Sequence, residues 1–151
     1  MTTNNHTAMA LSIALMFQNA DSLEKAVVLT ALVISHLPAD AIPHGHYSSL
    51  SKLLQTRLGS IIEPCISIIS LTWLVWHITS ANILWLIGCV IATNLFDFLY
   101  FVGIGFIKRL NHFAHWWDKN YDYPNKLRWQ WEAIQTIVLL TFLTLSILKY
   151  G

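Results

Sequence analysis

Three histidines and a carboxylate crowd into eleven residues of this chain, His36-Leu37-Pro38-Ala39-Asp40-Ala41-Ile42-Pro43-His44-Gly45-His46. On a helix, His36 and Asp40 stand one turn apart on one face. Pro43 predicts the end of that helix, after which His44 and His46 can fold back toward the same point. Imidazole nitrogen and carboxylate oxygen together suit zinc, manganese or iron. The spacing therefore predicts one divalent metal held by His36, Asp40 and His44, with His6 or His46 completing the shell. The competing reading is a helix-end histidine, a capping aspartate and two solvated histidines.

Two further carboxylates are candidates for catalysis. Asp97 follows Asn94 by three residues inside a long apolar segment, where an ionisable group is a functional candidate by default. It lies about 15 Å along a helix from the basic residue Lys108. It reads either as a partner of one of the histidines or as a protonated acid in an interhelical hydrogen bond. Glu132 stands at the start of the last apolar segment. There it either complements the helix dipole as a first-turn acid or serves as a ligand or general base. Glu63 has the same two readings, the structural one weighing more. His112, His115, Asp118 and Asp122, interleaved with Phe113, Trp116 and Trp117, predict an amphipathic interfacial helix. A second metal half-site or a lipid-headgroup contact is the alternative.

The elements that must carry these residues are apolar. Hydrophobic residues make up 55% of the chain and charged ones only 11%, with a mean hydropathy of +0.52; a soluble domain carries about 25% charged residues. Five apolar segments are legible: Ala8–Phe17, Ala26–Ile42, Ile61–Ile78, Ile83–Ile107 and Ala133–Leu148. Crossing a bilayer takes about 20 residues, so the last three predict membrane helices. The first two are marginal, a tight pair shielded by the others, or for the first a re-entrant segment. No Lys or Arg precedes Lys25, unlike the start of a secretory signal. The expected fold is a single domain, 1–151, an all-α integral membrane bundle of four to five helices with an amphipathic interfacial loop.

If all five segments cross, Lys52, Arg57, Lys108, Arg109, Lys119, Lys126 and Arg128 share one side, with only Lys25 and Lys149 opposite. That bias predicts a cytoplasmic N-terminus. The same topology puts His6, His36, Asp40, His44, His46, Glu63, His112, His115, Asp118, Asp122 and Glu132, and so all histidines except His77, at or near that face, with Asp97 deeper. Cys65 and Cys89 differ in depth by roughly 10 Å, too far for a disulfide, and read as packing residues.

The run Ser35-His36-Leu37-Pro38-Ala39-Asp40-Ala41-Ile42-Pro43-His44-Gly45 resembles the SHxxxDxxxP helix of the membrane-bound metal-dependent hydrolases. His6-Thr7, opening the first helix, is a weaker match. More distantly, the run is similar to the zinc-ligand helix of zinc-dependent phospholipases C and related single-strand nucleases. The membrane family's Pro-Asp-x-Asp-His and His-Arg-Gly-x-Thr-His motifs have no clear counterpart here. The resemblance implies hydrolysis through a divalent metal, zinc with manganese or iron as alternatives, in a bacterial inner membrane.

Three functions follow as expectations. The first is a metal-dependent hydrolase at the cytoplasmic face, acting on a phosphoester or lipid substrate with Glu132 or Asp97 as the base. The second is a non-catalytic accessory subunit of a larger membrane complex, its histidines serving pigment, haem or protein contacts. The third is a small transporter relaying ions through Asp97; with Asn94 and Asp97 the only deep polar residues, it has least support. The bilayer is the expected partner, with a homo-oligomer or membrane-complex subunit as further candidates. No Gly-rich phosphate loop or basic motif points to nucleotides or nucleic acid, and no serine nucleophile elbow is present.

Overall fold

A computed structural model describes residues 3–40, 59–106, 109 and 125–151. Among them are five helices and no strand: α1 Thr3–Met16, α2 Ser22–Asp40, α3 Gly59–Ile78, α4 Ile83–Val102 and α5 Asn125–Tyr150. The all-helical expectation is met. Two helices, α2 over Ser22–Ala39 and α5 over Trp129–Tyr150, are long and apolar enough to cross a membrane, while α3 and α4 contain shorter apolar stretches.

Local chemistry explains where the helices begin and end. Asp21 accepts the Glu24 amide at 2.8 Å, and Glu24 accepts the Asp21 amide at 3.1 Å. This reciprocal capping box opens α2. Asn82 caps α4 by accepting the amides of Leu84 at 2.9 Å and Trp85 at 3.2 Å. Gly103, at φ 95°, closes α4. The Ile104 amide reaches back to the Leu99 carbonyl at 3.3 Å, the long bond of a Schellman ending that favours glycine at this position. Asp97 is therefore five residues from the end of its helix, about 8 Å, closer to the rim of the bundle than the 15 Å read from Lys108.

The core forms around α1. Ala8, Ala10, Leu11, Ala14 and Leu15 are buried, and so are the polar residues Asn5, His6, Thr7 and Ser12. Its small side chains allow α3, α4 and α5 to pack against it from several sides. The hydroxyls of Thr7 and Ser12 need no outside partner, because they return to the carbonyls of Thr3 and Ala8 at 2.8 and 2.7 Å. The helix consequently starts at Thr3, although an apolar pattern begins only at Ala8. The expected tight pairing of α1 with α2 is not found: α2 packs on α4 instead.

Successive helices alternate in direction. At one end the Trp85 indole donates to the Ala14 carbonyl at 2.8 Å, and Lys25 lies over the Trp85 ring, 5.5 Å from its centroid. The Gln18 side-chain amide donates to the Tyr150 carbonyl, and the Ser80 hydroxyl reaches the Gly151 carbonyl at 3.4 Å. That end carries Lys25 and Lys149. Asn5, His6, His36, Asp97 and Glu132 are drawn together at the other. Both cysteines are free; Cys89 is buried, but Cys65 is exposed and does not serve as a packing residue.

Candidate functional site

His36 sits on the last turns of α2, 1% exposed, where the helix leans on α4. Its Nδ1 lies 2.8 Å from the Thr93 carbonyl oxygen. A carbonyl only accepts, so Nδ1 carries the proton and donates. That bond fixes both tautomer and ring orientation, and it turns Nε2 toward Asp97, whose Oδ1 is 3.3 Å away. The Asp97 side chain is 45% exposed, so this carboxylate joins a buried imidazole to the surface of the bundle. Asn94, one turn earlier on α4, turns its amide back to the Val90 carbonyl at 2.9 Å and takes no part.

Two aromatic faces hold the His36 ring. Phe96 of α4 stacks on it at 5.7 Å between centroids and 23° between planes. His6 of α1 stacks on it at 4.4 Å and 18°. The sequence placed His6 and His36 on a common face, and the structure brings them into ring contact. The stack nevertheless argues against one ion shared by both. A metal lies close to the plane of the imidazole that binds it, and nearly parallel planes converge only about 10 Å away, against bonds of about 2 Å. In this geometry His6 positions His36 instead of completing its ligand shell.

Glu132 differs from its expected setting. Because α5 begins at Asn125, Glu132 stands two turns inside the helix, beyond the first turn where the dipole acts. It is 3% exposed and accepts a hydrogen bond from the Asn5 amide, Nδ2 to Oε1, at 2.9 Å. Asn5 precedes His6 directly, so α1 touches Glu132 and His36 with consecutive residues.

Among the described residues, no group of three or more His, Cys, Asp or Glu side chains is close enough to hold a metal ion. Asp40 is the last residue of α2 by its backbone. Its side chain, His44 and His46 lie outside the described residues, as do the Glu63 side chain, His112, His115, Asp118 and Asp122. His77, at the opposite end, stacks on Trp73 at 5.1 Å and is exposed.

Three participants had no place in the sequence reading. Thr93 contributes a backbone carbonyl, which no residue type announces. Phe96 looked like one aromatic among many. Asn5 carried a usable signal, since a polar side chain next to His6 must be satisfied once the helix includes it. Comparison with protein-family models, with curated proteins and with solved structures finds no match for this chain.

Proposed function

We propose that this chain is a membrane-embedded, metal-dependent hydrolase whose reaction centre is the His36–Asp97 pair. The observation that carries the reading is the fixed orientation of His36. A metal-binding histidine characteristically donates its other ring N–H to a carbonyl or carboxylate, and here the Thr93 carbonyl takes that role. The 3.3 Å between Nε2 and Oδ1 also fits. Two ligands bonded at about 2.0–2.1 Å in tetrahedral geometry stand about 3.3 Å apart.

His36 and Asp97 would supply two ligands, and Asp40, His44 and His46 are the sequence's candidates for the remainder. When bound, a divalent cation brings the pKa of a coordinated water to about 7 and polarises a phosphoryl oxygen. His6 and Phe96 keep the imidazole from turning away. Glu132, held by Asn5 beside His6, is assigned as the base: it takes a proton from water as the oxygen attacks phosphorus, the P–O bond to the leaving group breaks, and Glu132 returns the proton to the departing oxygen, which leaves as the alcohol. Of the described groups, Asp97 is half-exposed while His6, His36 and Glu132 are buried, so substrate arrives on the Asp97 side.

Membrane embedding belongs to the same reading. Besides α2 and α5, helix α3 exposes Ile66, Ile69, Trp73 and Trp76, and α4 exposes Leu84, Ile91 and Phe98. Apolar surface on that scale suits a lipid solvent. Counted for five crossings, the charge bias favours an N-terminus in the cytoplasm.

The test is hydrolysis of a lipid phosphomonoester and a generic phosphodiester in detergent, with and without chelator. Turnover that chelator abolishes and added zinc or manganese restores is expected, with His36→Ala and Asp97→Asn inactive. Turnover indifferent to chelator and to both substitutions refutes the mechanism. Bound metal with no hydrolysis would favour an accessory subunit.

A further inference from the structure

Helices α3 and α5 both pack on α1, and where α1 begins the three leave a pocket of about 350 Å³. Asn4 and Asn5 line it from α1, Ser67 and Ser70 from α3, and Thr136 from α5; the rest of the wall is aliphatic. Ser70 and Thr136 lie about 16 Å along their helices from Gly59 and Asn125, within the apolar stretches Cys65–Ile78 and Trp129–Tyr150. Other hydroxyls of the bundle are satisfied by their own helix: those of Thr30 and Thr144 return to the carbonyls of Ala26 and Leu140. Among the described residues, Ser67, Ser70 and Thr136 make no such bond. The Asn4 amide oxygen is buried without a partner. Four polar groups from three helices therefore line one pocket with hydrogen bonds unmade, a costly arrangement if hydrocarbon filled it.

We infer that this pocket is filled with water and is the inlet through which water reaches Glu132. The link is direct. Asn5 lines the pocket and donates to Glu132 Oε1 at 2.9 Å, and Thr136 stands one turn beyond Glu132 on α5. The lining selects the occupant: it offers hydroxyls and amides but no charge, which suits a neutral hydrogen-bonding molecule and neither an ion nor an alkyl chain. An ordered water takes two to four polar partners, and at about 30 Å³ each the pocket has room for about ten. No described residue of α4 lines it, so this route lies apart from the Asp97 side, where substrate arrives. The inference rests on the proposed hydrolase, which consumes one water at each turnover, and it gives the two reactants separate entrances.

The experiment uses the full chain in phosphatidylcholine nanodiscs, in a Cys65→Ser background that leaves only the buried Cys89. Ser67→Cys, Ser70→Cys and Thr136→Cys are compared with Ile69→Cys and Ile137→Cys, exposed neighbours on the same two helices. The reagent is trimethylammonioethyl methanethiosulfonate, which attacks only thiolate and so reports water at the thiol. The three pocket variants should react roughly tenfold faster than the two neighbours, or more. Adding Glu132→Gln to Thr136→Cys should lower the rate with this cation, relative to the anionic sulfonatoethyl reagent, by about fivefold, because the carboxylate charge facing the pocket is gone. Equal rates at pocket and neighbouring positions overturn the inference, whether lipid, a second copy of the chain or general exposure causes them. So does a cation-to-anion ratio that Glu132→Gln leaves unchanged. If that variant fails to fold, the comparison among the five cysteine positions still decides whether the pocket is aqueous. Neither readout depends on metal or turnover. Fast pocket labelling in a chain that hydrolyses nothing would sustain the inlet and refute the hydrolase alone; chelator-sensitive hydrolysis with slow pocket labelling would do the reverse.

Discussion

Asn5 and Glu132 stand 127 positions apart and meet through one hydrogen bond of 2.9 Å inside the bundle. A double-mutant cycle with Asn5→Ala and Glu132→Ala measures that bond and reports the charge on Glu132. Hydrogen bonds between neutral side chains in membrane proteins average about 0.6 kcal/mol and reach about 1.7. Bonds to a charged group contribute about 1.5–3 kcal/mol. The proposed base must be ionised to take a proton, so the coupling is expected at about 2 kcal/mol, in the upper range. Each single variant should lose at least that much, because one partner remains buried. For a chain of this size that corresponds to a fall in Tm of roughly 4–8 °C. Unfolding of all four proteins in one detergent, followed by far-ultraviolet circular dichroism, gives the coupling. A value below about 0.5 kcal/mol would refute the claim that Asn5 holds Glu132. A value near 0.6 would indicate a neutral carboxyl and remove Glu132 as the base.

Other perturbations test the frame around the site. Asp21→Ala removes the cap of α2 and should cost about 1 kcal/mol in the same melts, and Asp21→Ser should restore most of it. Ala10, fully buried on the central helix, has no room to grow; Ala10→Leu should cost about 1–3 kcal/mol through overpacking, whereas Leu84→Ala on the exposed face of α4 should change stability by less than about 0.5 kcal/mol. A topology reporter fused after Gly151 should be active on the side opposite one fused at the N-terminus, and reporters on the same side would contradict an odd number of crossings.

The helices were largely legible because apolar runs carry local physics, but their punctuation went unread: the capping box at Asp21 opens α2 ahead of Ala26, and Gly103 ends α4 inside the run Ile83–Ile107. Where the reading failed, tertiary contacts had reversed a local signal. Thr3 to Asn5 look like a polar tail, yet they are helical: Glu132 of α5 accepts the Asn5 amide, and His36 of α2 stacks on the neighbouring His6 ring. Residues 125–132 look like loop, yet α5 begins there, and this moves Glu132 from a terminal acid to a buried one. The convergence of His6, His36 and Glu132 on one end followed from alternating helix direction alone, whereas Asp97 comes near them because Gly103 ends α4 early. Which atoms face one another did not, because the bond that orients His36 goes to a backbone carbonyl. Ring stacking is equally invisible in sequence, and it separates the role of His6 from that of His36.

The central claim is that His36 and Asp97 hold a divalent metal. Elemental analysis of the full-length protein, purified without a polyhistidine tag and loaded with zinc or manganese before extensive dialysis, tests it most directly. About one metal per chain is expected in the wild type and in His6→Phe, which keeps a ring against His36. His36→Ala and Asp97→Asn should each retain less than a fifth of that. A wild type that retains no metal, or a His36→Ala variant that retains as much as the wild type, would contradict it.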